Sequence, residues 1–289
     1  MPGVCEKRGE GTVNPGKELL RQEMMPHILC PGCGHGIVLN TLVRVLATRF
    51  SSMDQVALVA GIGCSSRIVG YIDAYTLHTT HGRALSFATG LKLSRPELTV
   101  IVITGDGDGL GIGGNHLIHA ARRNLDLTCI LFNNETYGMT GGQLAPTTVP
   151  HAFTTTTPYG NKEPSFDAAA LLKACGATFV ARGQAYRPDL LEELLNRAIA
   201  HRGFSFVDVM TDCTEYFGRK NALGGGSDLL FSQTRADEEI ARDLDEWPRL
   251  RHPDGFPLRE ILPMGVLHEV SRPTLEEMMG LAGYEAREE

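Results

Sequence analysis

Tryptophan occurs once in 289 residues, and aromatic side chains amount to only 7%. No basic run accompanies them, so neither the charge nor the stacking platform of a nucleic-acid binder is present. No apolar run reaches membrane-spanning length, and no targeting segment is recognisable. The expectation is a cytoplasmic protein with no membrane and no nucleic-acid partner. No glycine-rich turn is followed by Gly-Lys-Ser or Gly-Lys-Thr, which excludes a Walker loop. Internal repeats and low-complexity segments are lacking. The cysteines, at 5, 30, 33, 64, 129, 175 and 213, are odd in number and follow no secretory signal. Both facts argue against a disulfide framework.

Hydrophobic residues make up 42%, as in a soluble globular chain. The length allows one large α/β domain with an extension, or two small domains. Charge is uneven: from Leu223 onward there are 15 acidic and 7 basic residues, against 19 and 20 before it. We divide the chain into a leader (1–23), a body (24–222) and an acidic extension (223–289). The extension still carries Leu229-Leu-Phe, Ile261-Leu and Met278-Met, which suggests an arm packing on a partner. Periodicity predicts helices over 36–50, 83–93, 112–123, 165–175 and 188–201. It predicts strands over 56–60, 98–104, 127–132, 177–181 and 204–210. Ser165 is the expected cap and Gly176 the expected stop of the fourth helix. The alternation calls for a doubly wound, mostly parallel sheet with helices on both faces.

Leu98–Ile103 is β-branched and uncharged, like a strand buried on both faces. It runs into Gly105-Asp106-Gly107-Asp108-Gly109, where glycine lets the backbone turn sharply and approach a ligand. The next strand ends at Asn133-Asn134. Asp106 and the two asparagines would then meet at the carboxyl ends of two parallel strands, where open α/β sheets bind ligands. A carboxylate, an amide and a backbone carbonyl are hard oxygen ligands, suited to Mg²⁺ held against a diphosphate. The bland reading is a glycine turn and a polar loop. Gly109 to Gly114 loosely imitates a dinucleotide fingerprint, but Asp106 and Asp108 would repel a pyrophosphate unless a metal intervened.

Among the cysteines, Cys129 and Cys175 lie in apolar contexts and read as small core residues, and Cys5 as incidental. Cys30-Pro-Gly-Cys33-Gly-His-Gly is a glycine-rich C-x2-C turn; Cys64 and Cys213 each follow a predicted strand. Four thiolates can hold zinc or an iron–sulfur cluster, and C-x2-C alone also fits a redox dithiol.

Gly105-Asp106-Gly107 with Asn133-Asn134 resembles the thiamine diphosphate motif of the thiamine-dependent enzymes. That resemblance implies Mg²⁺ bound by Asp106, Asn134 and the Thr136 carbonyl. Cys30, Cys33, Cys64 and Cys213 resemble the [4Fe–4S] site of the β subunits of 2-oxoacid:ferredoxin oxidoreductases. Cys-Pro-Gly-Cys-Gly-His-Gly, Gly-Ile-Gly-Cys-Ser-Ser, Leu77-His-Thr-Thr-His81-Gly-Arg-Ala and Tyr137-Gly-Met-Thr-Gly-Gly-Gln143 match the same family. It covers roughly residues 24–222 densely and the tail loosely, as at Pro263–Leu267. Thiamine contacts are implied at Ile62, Gly63, Cys64, Ser65, His81, Gly105, Gly107, Asp108, Gly138 and Met139.

The resemblance implies oxidative decarboxylation of a 2-oxoacid, or its reversal. The cofactor serves as electron sink, the cluster passes electrons singly to ferredoxin, and coenzyme A takes the acyl group. Tyr137–Gln143 and Tyr216–Asn221 look most like the 2-oxoglutarate branch, whose reverse reaction carboxylates succinyl-CoA; pyruvate and branched 2-oxoacids stay open. Gly141 stands where some relatives carry a substrate-contacting lysine, so that role does not transfer. Arg219 or Lys220 is the candidate for a second substrate carboxylate. His81 is the candidate for a catalytic or phosphate contact, against the alternative of a hydrogen-bonded loop histidine. Arg67 and Arg83 are candidate anion contacts. The family's cofactor-activating glutamate lies on another subunit, so the chain should work only with an α subunit, in an (αβ)₂ assembly. A non-redox thiamine decarboxylase subunit and a zinc-stabilised scaffold are the rival readings.

Overall fold

The computed structural model describes residues 15–232 and 262–281. Its strands are β1 (Val56–Ala60), β2 (Tyr75–His78), β3 (Thr99–Gly105), β4 (Leu127–Asn133), β5 (Thr136–Tyr137), β6 (Gln143–Leu144), β7 (Phe179–Gln184), β8 (Ser205–Met210) and β9 (Gly265–Glu269). Seven of them form one sheet in the order β2-β1-β3-β4-β8-β7-β9; β5 and β6 make a separate hairpin. All neighbours in the large sheet run parallel except β7 and β9.

The helices are α1 (His35–Arg49), α2 (Ala84–Ser94), α3 (Gly114–Arg123), α4 (Ala168–Ala174), α5 (Pro188–Ala200), α6 (Gly226–Ser232) and α7 (Leu275–Met278). Strand alternation divides the apolar residues between two cores. Leu58, Ile101, Ile103, Ile130, Phe132 and Val207 pack with α1 and α5 on one face. Val59, Val100, Val102, Cys129, Leu131 and Phe206 pack with α2, α3 and α4 on the other. The doubly wound sheet expected from the alternation is therefore present, with helices on both faces.

Two local expectations, both helix starts, need correction. The fourth helix starts at Ala168, capped by Asp167, whose side chain accepts the Ala170 N–H. Ser165 is not its cap; Asp167 is also held by the guanidinium of Arg182 on β7, a contact with no local sequence signal. The helix expected from 112 begins at Gly114, because the glycines of Gly107–Ile112 form a π-helical turn first. β2, an exposed edge strand, and β9 were not expected. β9 and α7 belong to the acidic extension, yet they pack on this chain: β9 pairs with β7, and Glu276 accepts the Asp126 N–H. Leu229 of α6 is also buried, beside Cys213 and Phe217. Ile261-Leu at its first residue, Cys5 and most of the leader lie outside the described residues.

Candidate active site

The carboxyl ends of β1, β3, β4 and β8 lie side by side in the sheet, and the loops leaving them enclose two adjoining cavities. The first, of about 530 Å³, is lined by all three expected metal ligands, Asp106, Asn134 and Thr136. Ile62, Gly63, Cys64, Ser65, His81, Gly105, Gly107, Asp108, Gly138 and Met139 line it as well. His35, Phe132, Tyr137 and Thr140 complete the wall and were not singled out for it.

Asp106 opens the π-helical turn, and its Oδ1 accepts the Gly107 N–H at 2.8 Å. Its Oδ2 accepts the Thr147 hydroxyl at 2.6 Å. Burial pushes the carboxyl up to about 7, opposed by hydrogen bonds from Thr147, Gly107 and Glu135. A buried carboxylate that lacks positive charge, beside an amide oxygen and a backbone carbonyl, suits a divalent cation. Glu135, between the other two expected ligands, takes a positive φ of 59°. That turn directs Asn134 and Thr136 to the same cavity.

Asp108 lines the cavity as expected and also braces it. Its Oδ1 accepts from the Gly82 N–H at 2.6 Å, the Ile62 N–H at 3.3 Å and His81 Nδ1 at 2.5 Å; its Oδ2 accepts the Thr104 hydroxyl at 2.7 Å. The carboxylate thus ties the loops after β1 and β2 to β3. Gly61 makes room for it, since a Cβ there would lie 1.9 Å from Oδ2. His81 is therefore an oriented ring: Nδ1 faces Asp108, and its edge meets Tyr137, with centroids 6.1 Å apart. Tyr137 in turn donates from its hydroxyl to the Gly107 carbonyl at 2.9 Å. A Cβ on Gly107 would lie 2.3 Å from the Tyr137 ring, so this glycine is required by packing.

The second cavity, of about 420 Å³, is lined by Cys30, Cys33, Cys64 and Cys213, with Arg67 and Glu215 at its edge. The Cys30–Cys33 turn is fixed from two sides. Asp212 N–H donates to the Cys33 carbonyl at 3.0 Å. Gly32, at φ 79°, lies so close to α6 that a Cβ would fall 2.4 Å from Gly226 Cα. Burial raises the Cys33 and Cys64 thiols to about 11, and charge repulsion among the four cysteines adds to it. Thiols that destabilise one another's anions suit a positively charged centre that would bind them all. Among the described residues no three His, Cys, Asp or Glu side chains close around a single ion; the cysteines ring a space instead.

Cys64, Met139, Asn134 and His35 line both cavities. The Met139 backbone favours the Cys64 anion, against the larger effect of burial. A Cβ on Gly138 would lie 3.4 Å from Cys213 Sγ and 3.8 Å from Cys64 Sγ. His35 is fully buried, with Nδ1 3.3 Å from the Cys33 carbonyl, and burial lowers its pKa to about 4. A carbonyl only accepts, so Nδ1 carries the proton of a neutral ring.

Other candidates fall outside the first cavity. Arg83 donates to the Gly82 and Ile112 carbonyls. Arg219 pairs with Glu215 at 3.0 Å and is 72% exposed; neither it nor Lys220 lines either cavity. Cys129 is a buried strand residue, as expected, and Cys175 is half-buried on α4's C-terminal edge.

Residues 60–209 match the family described as "Thiamine pyrophosphate enzyme, C-terminal TPP binding domain". The chain is 52% identical over 217 residues to "2-oxoglutarate synthase subunit KorB" of Methanothermobacter marburgensis, covering 75% of this chain and 76% of that one. The protein of the same description from Archaeoglobus fulgidus is 56% identical over 196 residues, 68% of this chain and 73% of its own. Among solved structures, the chain is similar to "2-oxoglutarate:ferredoxin oxidoreductase from Magnetococcus marinus with 2-oxoglutarate, coenzyme A and succinyl-CoA bound". Identity is 33% and TM-score 0.73, over 96% of this chain and 95% of that one.

Proposed function

The chain belongs to the thiamine pyrophosphate enzymes and, within them, to the β subunits of 2-oxoglutarate:ferredoxin oxidoreductases; from that premise we propose that its two cavities hold thiamine diphosphate with Mg²⁺ and one [4Fe–4S] cluster. Asp106, Asn134 and the Thr136 carbonyl would hold the metal. Cys30, Cys33, Cys64 and Cys213 would hold the cluster. The observation that carries this reading is Cys64, which lines both cavities. When bound, thiamine diphosphate supplies the electron sink for losing CO₂ from a 2-oxoacid, and the cluster takes electrons one at a time.

The chain's own residues position and enclose. Asp106 and the Asn134–Thr136 turn would hold the metal that binds the diphosphate. Asp108 orients His81 so that Nδ1 is engaged and Nε2 remains for a phosphate contact or proton transfer. Tyr137 and Met139 line the cavity, Tyr137 held there by its hydroxyl on the Gly107 carbonyl. Catalysis requires an α subunit to supply the cofactor-activating glutamate, in an (αβ)₂ assembly, with 2-oxoglutarate and coenzyme A as substrates and ferredoxin as electron partner. Among the described residues no helix is long and apolar enough to cross a membrane, which is compatible with the proposed cytoplasmic location.

The test is an anaerobic visible spectrum of the co-purified αβ complex, before and after 2-oxoglutarate and coenzyme A. A broad iron–sulfur band that bleaches on their addition is expected. Bleaching only with pyruvate or a branched 2-oxoacid would move the substrate and keep the mechanism. A colourless protein with intact cysteines would overturn the cluster and favour zinc or a non-redox decarboxylase.

A further inference from the structure

We propose that Thr147 and Thr148 form the clamp that positions the metal ligands, and that closure of the loop carrying them is coupled to metal binding. The inference rests on the reading of Asp106, Asn134 and Thr136 as a Mg²⁺ site. The expected ligands come from two strands: Asp106 follows β3, while Asn134 and Thr136 follow β4. Their relative placement needs something that touches both, and one buried dipeptide does. Thr147 donates its hydroxyl to Asp106 Oδ2 at 2.6 Å. Thr148 donates its hydroxyl to the Glu135 carbonyl at 2.6 Å, in the middle of the Asn134–Thr136 turn. The Thr148 hydroxyl also accepts the Ala145 N–H at 2.9 Å. Both threonines are at most 3% exposed.

The chemistry of the clamp follows from the donor inventory. Gly107 N–H takes one lone pair of Asp106 Oδ1, and Thr147 takes one of Oδ2. The Glu135 backbone also bonds the carboxylate, so of its roughly four lone-pair sites one remains for a cation, and the carboxylate plane is fixed from both ends. A hydroxyl that holds a metal-binding carboxylate tunes the site without entering the coordination shell. Thr148 acts on the other ligand pair by anchoring the turn whose centre, Glu135, has positive φ.

Asn161 holds the clamp in place. Its Nδ2 donates to the Thr148 carbonyl at 2.8 Å and the Val149 carbonyl at 3.2 Å. Its own N–H donates to the Ala152 carbonyl at 2.8 Å. None of residues 145–161 lines the cofactor cavity. The two threonines are their direct link to the metal ligands, while Thr155 reaches the β5–β6 hairpin through the Gly141 and Gly142 carbonyls; by reciprocity a clamp that favours metal binding is itself favoured by the metal.

The experiment titrates Mn²⁺ into the cofactor-stripped αβ complex with thiamine diphosphate present, reading free Mn²⁺ by electron paramagnetic resonance. Thr147→Val keeps the shape and removes the donor; it should raise the Mn²⁺ Kd about tenfold or more. Thr147→Ser should restore it to within about threefold of the parent. Hydrogen exchange on the parent complex provides a reading that needs no variant. Adding Mg²⁺ and thiamine diphosphate should slow exchange across residues 149–161. An unchanged Kd in Thr147→Val, or unchanged exchange in that segment, overturns the clamp. Asp106→Ala separates this from failure of the site itself. If that variant still binds Mn²⁺ like the parent, the metal site is misplaced; if it loses Mn²⁺ while Thr147→Val does not, the clamp alone is wrong.

Discussion

Removing the Arg182 guanidinium should cost far more than its distance from the cavities suggests. Arg182 and Asp208 are each 1% exposed, and Arg182 Nε donates to Asp208 Oδ2 at 2.9 Å. The same guanidinium reaches Asp167 and donates to the Pro263 carbonyl at 3.3 Å. It thus joins β7, β8, the cap of α4 and the lead into β9. Arg182→Met leaves the Asp208 carboxylate with the side-chain donor Asn133 Nδ2 at 3.3 Å. A buried charge stripped of its partner costs about 3–5 kcal/mol. With a urea slope of about 3 kcal/mol/M for a chain of this size, the midpoint should fall by about 1–1.7 M. Arg182→Met with Asp208→Leu removes both charges. The double variant still leaves the Pro263 carbonyl and the Asn133 amide short of partners, at about 1–3 kcal/mol each. It should nevertheless cost about 2 kcal/mol less than the two single changes added together. Urea unfolding of the purified subunit, followed by circular dichroism, measures all four forms. Additivity within about 0.5 kcal/mol, or a midpoint in Arg182→Met close to the parent's, would refute the account of the pair as a coupled buried unit.

Three further outcomes are expected. Gly107→Ala puts a Cβ into the Tyr137 ring, so thiamine diphosphate affinity should fall about tenfold or more in calorimetric titration of the αβ complex; an unchanged Kd would mean Tyr137 does not shape the cavity. Gly138→Ala brings a methyl group against Cys213 and Cys64 Sγ, so the reduced cluster's paramagnetic spectrum and its iron content should both change. If neither moves, Gly138 is not part of the wall between the two centres. His201, stacked on Phe179 with Nε2 2.9 Å from the Thr178 hydroxyl, has its pKa lowered from 6.5 by burial. The unfolded chain therefore binds a proton that the folded one refuses, and stability is lost as pH falls through 6.5 toward the lower folded value. His201→Gln should flatten that acid-side fall in the urea midpoint; an identical slope would show that His201 is not its source.

Long apolar strands were the most legible part of the fold. Val56–Ala60 is bounded as its composition predicts, and β3, β4 and β8 shift by a residue or less at each end. Such runs are read correctly because burial on both faces leaves only one suitable residue class. β9 was illegible for the opposite reason. Its apolar part is Val266-Leu267, and what makes it a strand is antiparallel pairing with β7, more than 80 residues earlier. The site divides the same way. Asp106, Asn134 and the four cysteines carry chemistry in their residue types and in their places after strands. Asp108 carries the same type and nearly the same place, and only the structure shows its oxygens engaged by His81, Gly82, Ile62 and Thr104. Thr147 gave no signal, because one threonine in a threonine-rich loop is indistinguishable from the next until the loop is folded.

The sheet itself explains why the two proposed centres lie so close. Cys64 follows β1, Asp106 follows β3, Asn134 follows β4, and Cys213 lies beyond β8. These four strands are consecutive neighbours in the sheet. Hydrogen-bonded strands lie about 4.8 Å apart, so four of them span about 14 Å along the edge. Parallel running brings all four carboxyl ends to that edge, which an antiparallel arrangement would split between two. A diphosphate–metal site at β3 and β4 and a cluster held from β1 and β8 must therefore overlap in width. The two cavities adjoin, with Cys64, Met139, Asn134 and His35 as their shared wall. On the proposed reading, a short path between the two centres would follow from strand order, while the chemistry of each centre would be left to the loops.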